Sequence, residues 1–108
     1  MDDNPHSGHR NRLRKKFIDN GLDGMESHEA LELMLYYAIP RKDTNPVAHM
    51  LIDSFGSISA VFDAPIDKLK EAGLSENCAI YIKLIPEICR VYMEDKHNNK
   101  DKIKMEVL

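Results

Sequence analysis

The 108-residue sequence predicts an all-α domain of about five helices. Apolar residues recur at intervals of three and four along most of the chain, which is the spacing of one helical face. No segment alternates apolar and polar residues over the length of a strand. With 43% hydrophobic and 31% charged residues, the composition is that of one globular domain with a modest core.

The N-terminal part predicts an arm and two helices. Residues 1–8 are polar and contain proline and glycine, so we expect a flexible arm. Helix 1 is predicted over His9–Asn20, just before a glycine that suits a helix end. Ser27 is a suitable N-cap for helix 2, which carries a wide apolar stripe and is predicted to end at Pro40.

The middle of the chain predicts a third helix and a short helical turn. Asn45 and Pro46 match the residue preferences of an N-cap and the first helical position, and they predict the start of helix 3. Gly56 predicts its end. Ser57 then caps a short turn over Ile58–Phe62.

The C-terminal part predicts a tight hairpin between two helices. Helix 4 is expected from Pro65 to Gly73, and Ser75 is a suitable N-cap for helix 5. Pro86 removes one backbone hydrogen bond within helix 5 and predicts a kink. Residues 96–108 are rich in charge and asparagine and predict a linker, so the domain is assigned to residues 9–95.

A faint internal duplication relates the two halves. Helix 2, a polar connector and helix 3 form one unit, and helix 4, the hairpin and helix 5 form another. Two hairpin units around a shared core would explain how so short a chain folds.

The cysteines and the apolar runs bear on the compartment. Cys78 and Cys89 fall on one helix about 16 Å apart, too far for a disulfide, and are predicted to be buried thiols. The longest unbroken apolar run, Leu33–Ile39, is too short to cross a membrane, and no secretory signal is found. A cytoplasmic location without membrane contact is therefore predicted.

A basic cluster in helix 1 is the first candidate site. Five cations occur between His9 and Ile18 with no acidic residue, although the whole chain has a net charge of −3. Arg10 and Arg14 are four apart and share one helical face, and mobile cations of this kind favour contact with nucleic-acid phosphates. A solvated helix face explains the same pattern equally well. The cations are Arg10, Arg12, Arg14, Lys15 and Lys16.

The Gly73 hairpin is the second candidate site. The amide groups from Gly73 through Ser75 to Asn77 would lie at the positive end of helix 5, where a phosphate oxygen could bind. Glu71 and Glu76 flank this position and would repel a phosphate. The turn pattern by itself therefore fits an ordinary interhelical turn better.

The polar connector before helix 3 is the third candidate site. Arg41 and Lys42 could reach a phosphate, and the amides of Thr44 and Asn45 are predicted to lie at a helix N-terminus. An ordinary polar loop fits the pattern slightly better.

The sequence contains no pattern typical of an enzyme or of a metal site. His28–Glu32 resembles the start of a zinc-protease motif, but it has glutamate where the second histidine must stand. No nucleotide-binding loop and no catalytic triad pattern is found. We therefore assign no catalytic residue, no metal ligand and no cofactor to this chain.

Three runs of the sequence resemble the N-terminal domain of the RadC-like (UPF0758) family. They are Gly8-His9-Arg10-x-Arg12-Leu13-Arg14, Ala38-Ile39-Pro40-Arg41-Lys42-Asp43 and Phe55-Gly56-Ser57. The resemblance covers about residues 7–92 and implies a tandem helix-hairpin-helix bundle, similar to modules of DNA repair proteins. Ser75 departs from the glycine common in such hairpins.

The resemblance also implies a second domain outside this chain. Full-length members carry a C-terminal JAB/MPN metalloprotease-like domain, which binds zinc through a His-x-His pair and a downstream aspartate. No residues here match those ligands, so zinc is expected only in that domain, and residues 96–108 would lead towards it.

Two functions from different classes follow. The first is a non-catalytic module that binds DNA without reading its sequence, through helix 1 and the hairpins. The second is a protein-interaction or regulatory module that positions the C-terminal domain without contacting nucleic acid. The net charge and the acidic flanks of the hairpin favour the second.

Overall fold

The computed structural model describes residues 7–39 and 43–107, which form six α-helices without a strand. The all-α prediction is confirmed. The short turn after helix 3 is a helix of its own, which accounts for the sixth. The helices are α1 (Ser7–Asn20), α2 (Ser27–Tyr36), α3 (Thr44–Phe55), α4 (Ile58–Asp63), α5 (Ile66–Glu71) and α6 (Glu76–Val107).

Helix α2 begins and ends at residues other than those predicted. Its N-cap is Glu26 and not Ser27, because the Glu26 amide donates to the side-chain Oε1 of Glu29 at 3.2 Å. The helix ends at Tyr36, and the amide of Ile39 then closes a turn on the Leu35 carbonyl at 2.8 Å. The predicted end at Pro40 lies outside the described residues.

Helix α3 begins earlier than the sequence predicted. Its N-cap is Asp43, whose carboxylate accepts a hydrogen bond from the Asn45 amide at 3.1 Å. The prediction that Asn45 is the N-cap was wrong, since an aspartate two residues upstream already occupies that role. Gly56 ends the helix in a left-handed conformation with a φ of 101°, as predicted.

The hairpin between α5 and α6 has the predicted local structure. The Leu74 amide donates to the Leu69 carbonyl at 3.3 Å, and the Gly73 amide donates to Lys70 at 2.9 Å. These two bonds form a Schellman motif, and Gly73 adopts the positive φ of 109° that the motif requires. Ser75 then caps α6 by accepting from the Cys78 amide at 3.1 Å.

The five helices from α2 through α6 share one hydrophobic core. Helix α2 packs mainly on α3, while α4 and α5 both pack on α6, and α1 lies on α2 at the edge of the bundle. Each of helices α2 to α6 contributes at least one fully buried side chain. These are Leu31 and Leu35 from α2, Leu51 from α3, Val61 from α4, Leu69 from α5 and Ile82 from α6.

The ends of the described chain are helical. Ser7 and Gly8, which the sequence assigned to an arm, form the start of α1, and residues 1–6 lie outside the described residues. Helix α6 includes Pro86 and continues to Val107, through the segment predicted as a linker.

The two cysteines differ in exposure. Cys78 is buried in the core, and burial raises the pKa of its thiol. Cys89 is exposed, so the prediction of two buried thiols was wrong for this residue. The reason is that Cys89 lies beyond the part of α6 that contributes to the core and lines an open groove instead.

Within the described ranges, no helix is both long enough and apolar enough to cross a membrane.

Candidate nucleic-acid interface

The predicted basic cluster separates into one buried and four exposed cations. Arg12, Arg14, Lys15 and Lys16 lie exposed on α1. Their described partners are weak or solvent-accessible, so these side chains remain available to a phosphate group. Arg12 and Arg14 approach the side chains of His9 and Asn11 at 3.5 Å, and Lys16 pairs with Glu29 at 3.2 Å.

Arg10 has a different environment from the other cations of α1. It is only 8% exposed, and its guanidinium lies 4.4 Å from the centre of the Tyr36 ring. Its Nη2 also donates to the carbonyl of Ile39 at 3.3 Å. Arg10 thus packs α1 onto the end of α2, and a phosphate could reach it only if these contacts opened.

A buried polar cluster surrounds the side chain of Glu32. Thr44 donates its hydroxyl to the Glu32 backbone carbonyl at 3.0 Å, and Asn45 donates its side-chain amide to the Glu32 carboxylate at 3.3 Å. Thr44 is fully buried. These two residues, proposed from the sequence as phosphate contacts, therefore join α3 to α2.

The N-terminus of α3 already holds a carboxylate. Asp43 accepts the hydrogen bond of the Asn45 amide, at the position where a phosphate would otherwise bind. A phosphate would have to displace Asp43 and would meet its negative charge. Arg41 and Lys42 lie outside the described residues, so their position relative to this site is not part of the geometry.

The Gly73 hairpin presents its backbone to solvent. Gly73, Ser75 and Asn77 are all exposed. The Ser75 hydroxyl accepts a hydrogen bond from the Cys78 amide. The amides of Glu76 and Asn77, also in the first turn of α6, have no partner within the helix. The hairpin therefore has two amides and a helix N-terminus open to an anion.

The charges around the hairpin are mixed. Glu71 is paired with Lys68 at 3.3 Å, which offsets part of its repulsion, whereas Glu76 is exposed in the first turn of α6. Lys70 is exposed in the last turn of α5, next to the hairpin. The sequence reasoning missed Lys70, although a lysine three residues before the helix-ending glycine is a usable signal.

The candidate residues form two separate groups and not one continuous site. The exposed cations lie on α1, which packs on α2, while the hairpin lies between α5 and α6. No hydrogen bond or ion pair described for the chain links α1 to the hairpin. Among the described residues, no group of three or more His, Cys, Asp or Glu side chains could hold a metal ion.

Comparison with known proteins identifies relatives that match most or all of the chain. A UPF0758 protein of Fusobacterium nucleatum subsp. nucleatum is 43% identical over 109 residues, which cover 100% of this chain and 47% of that protein. A UPF0758 protein of Ruegeria pomeroyi is 38% identical over 78 residues, covering 71% of this chain and 35% of that protein.

The chain thus spans about half the length of the first of these relatives and less of the second. No family model matches the sequence. The comparison with solved structures also gave no match.

Proposed function

We propose that this chain, which belongs to the UPF0758 protein family, is a non-catalytic module that binds the DNA backbone without reading base sequence. The observation that carries the proposal is the exposed basic surface of α1, formed by Arg12, Arg14, Lys15 and Lys16. Four cations within one and a half helical turns attract phosphate groups and release counterions from DNA.

The hairpin supports the proposal as a second contact. The exposed amides of Glu76 and Asn77 can donate to one phosphate oxygen, and the N-terminal end of α6 adds a partial positive charge. Contacts of this kind fix a protein on the backbone and carry no sequence information. The hairpin carboxylate of Glu76 makes this contact weaker than that of α1.

The experiment is fluorescence anisotropy with labelled single-stranded, duplex and branched DNA over a series of salt concentrations. We expect binding at low salt, with log K falling by about 0.9 per phosphate contact for each unit of log salt concentration on duplex DNA. The double variant Arg12→Ala with Lys15→Ala should bind several-fold more weakly, and its salt slope should be shallower by about 2.

A matched control removes the same charge elsewhere. Arg90 and Lys96 lie exposed on α6, where Arg90 pairs with Glu87 and Glu94. The double variant Arg90→Ala with Lys96→Ala should keep both the affinity and the salt slope. An absence of binding at low salt, or an equal slope in both double variants, would overturn the proposal.

A protein-interaction module is the second candidate function. An open apolar groove of about 670 Å³ favours it, since contiguous exposed apolar surfaces commonly mark partner sites. On this reading the module would position a JAB/MPN domain of a longer RadC-like protein. If the fluorescence anisotropy of all three DNA probes stays unchanged at low salt, this function is favoured over the first.

A further inference from the structure

The groove is lined by residues of α1, α2, α4 and α6 and by Leu22 of the loop after α1. Its lining is almost entirely apolar, and of the described residues that line it Arg14 alone carries a full charge. Phe17 and Tyr37, on one wall, are 48% and 63% exposed. The apolar lining includes Phe17, Leu22, Tyr37, Phe62, Tyr81 and Ile85.

Helix α6 exposes a second apolar surface next to the groove. Leu84, Ile88 and Val91 follow each other at intervals of four and three, so they form one stripe along the helix. Each of them is between 47% and 56% exposed, and none lies in the core. The next residue at this spacing is Asp95, so the stripe ends in an exposed carboxylate. These four residues are called the α6 stripe.

We propose that a second copy of this chain covers the groove, with the α6 stripe of each protomer packed into the groove of the other. Helix α6 supplies both one wall of the groove and the exposed stripe. A surface that carries both complementary parts can pair with itself about a twofold axis, which is the commonest symmetry of homodimers.

The charges of the two parts agree with this arrangement. The groove has an apolar lining and one guanidinium, that of Arg14, whereas the stripe has three apolar side chains and one terminal carboxylate, that of Asp95. Arg14 is bonded only weakly to Asn11, at 3.5 Å, so it is available to a partner's carboxylate. Arg12, Lys15 and Lys16, which are exposed, remain for DNA in the dimer. In the dimer the apolar segments meet, and the Arg14 of each protomer pairs with the partner's Asp95, which fixes the register.

The first test measures the mass of the full chain by analytical ultracentrifugation over a range of concentrations, without DNA. We expect a concentration-dependent dimer. Ile88→Glu, which places a charge in the stripe, should leave a monomer with an unchanged circular dichroism spectrum, because Ile88 is exposed. The matched control Ile66→Glu, at an exposed isoleucine of α5 outside the groove, should keep the dimer.

A charge exchange tests the register. Asp95→Arg places two cations opposite each other and should raise the dimer dissociation constant by about fivefold or more, and Arg14→Glu in the same chain should restore most of the affinity. A monomer at all concentrations would overturn the proposal and leave the groove to another occupant. So would a dimer that Ile88→Glu does not weaken, or a charge exchange without rescue.

Discussion

The Nε2 atom of His9 lies 2.8 Å from the Oε1 atom of Glu32, whose side chain is only 3% exposed. Asn45 donates to the other oxygen of the same carboxylate at 3.3 Å, and Thr44 donates to the Glu32 backbone carbonyl. Helices α1, α2 and α3 therefore meet at one buried acidic residue. This cluster holds α1, with its exposed cations, in a fixed position on the bundle.

Removal of the Glu32 carboxylate should destabilise the fold. Glu32→Ala leaves the side-chain amide of Asn45 without its partner, and we expect a loss of about 2–4 kcal/mol in the free energy of unfolding. Urea denaturation followed by circular dichroism measures it. The control Glu94→Ala breaks an exposed pair with Arg90 and should cost less than about 0.5 kcal/mol. Equal losses in the two variants would contradict this role of Glu32.

The stability should depend on pH through Glu29. A hydrogen bond from the Glu26 amide, together with the ammonium group of Lys16, lowers the pKa of Glu29 below its ordinary value of 4.5. A carboxylate whose pKa is lower in the folded state stabilises the fold at pH values above its ordinary pKa. That stabilisation is lost as the pH falls through the lowered pKa.

The Glu29→Gln variant tests this dependence. At pH 7 the unmodified chain should be the more stable of the two in urea denaturation. The difference in unfolding free energy should shrink as the pH is lowered from 7 to 3, because the unfolded chain then takes up a proton that the folded state, with its lowered pKa, binds less readily. A difference that stays constant over this range would show that the charge of Glu29 contributes nothing.

Arg10 and Arg12 should affect different properties although they are two residues apart. Arg10→Ala removes the contact with the Tyr36 ring and the bond to the Ile39 carbonyl, and should cost about 1–3 kcal/mol of unfolding free energy. Arg10→Lys should be less stable than the unmodified chain but more stable than Arg10→Ala, because lysine keeps the charge and lacks the planar guanidinium. Arg12→Ala should change stability by less than about 0.5 kcal/mol. Thermal and urea denaturation of the three variants decide the matter, and a stable Arg10→Ala would refute the packing role.

The same substitution at two glycines should act in opposite directions. Gly73→Ala forces a φ of 109° on alanine and should cost about 1–2 kcal/mol, although the added methyl group meets open space. Gly8→Ala lies in α1 and should stabilise the fold by up to about 1 kcal/mol. Both effects appear in the midpoint of urea unfolding. An unchanged stability in Gly73→Ala would mean that the hairpin can adopt a turn of another type without a positive φ at residue 73.

The sequence predicted best those features that depend on neighbouring residues alone. Gly73 and Ser75 specify the hairpin through their own backbone preferences, and the structure has both the Schellman motif and the serine cap. The start of α3 was wrong by two residues, because Asp43 and Asn45 are both good caps and the local pattern does not rank them.

The sequence did not predict features that depend on distant contacts. The burial of Arg10 requires the ring of Tyr36, which is far along the chain and adjacent only after α1 has packed on α2. The exposure of Cys89 follows from the length of α6 relative to the core. The separation of α1 from the Gly73 hairpin is likewise a property of packing and not of spacing.

The length of α6 has a mechanical consequence. Its 32 residues span about 48 Å as one helix, from the Gly73 hairpin to Val107. Near the hairpin, Lys83 fastens this helix to α4 by donating to the Phe62 carbonyl at 2.7 Å. A helix held at one end acts as a lever, and a tilt of about 10° would displace its far end by about 8 Å. A small rearrangement at the hairpin would therefore become a large movement of anything attached to the distal turns.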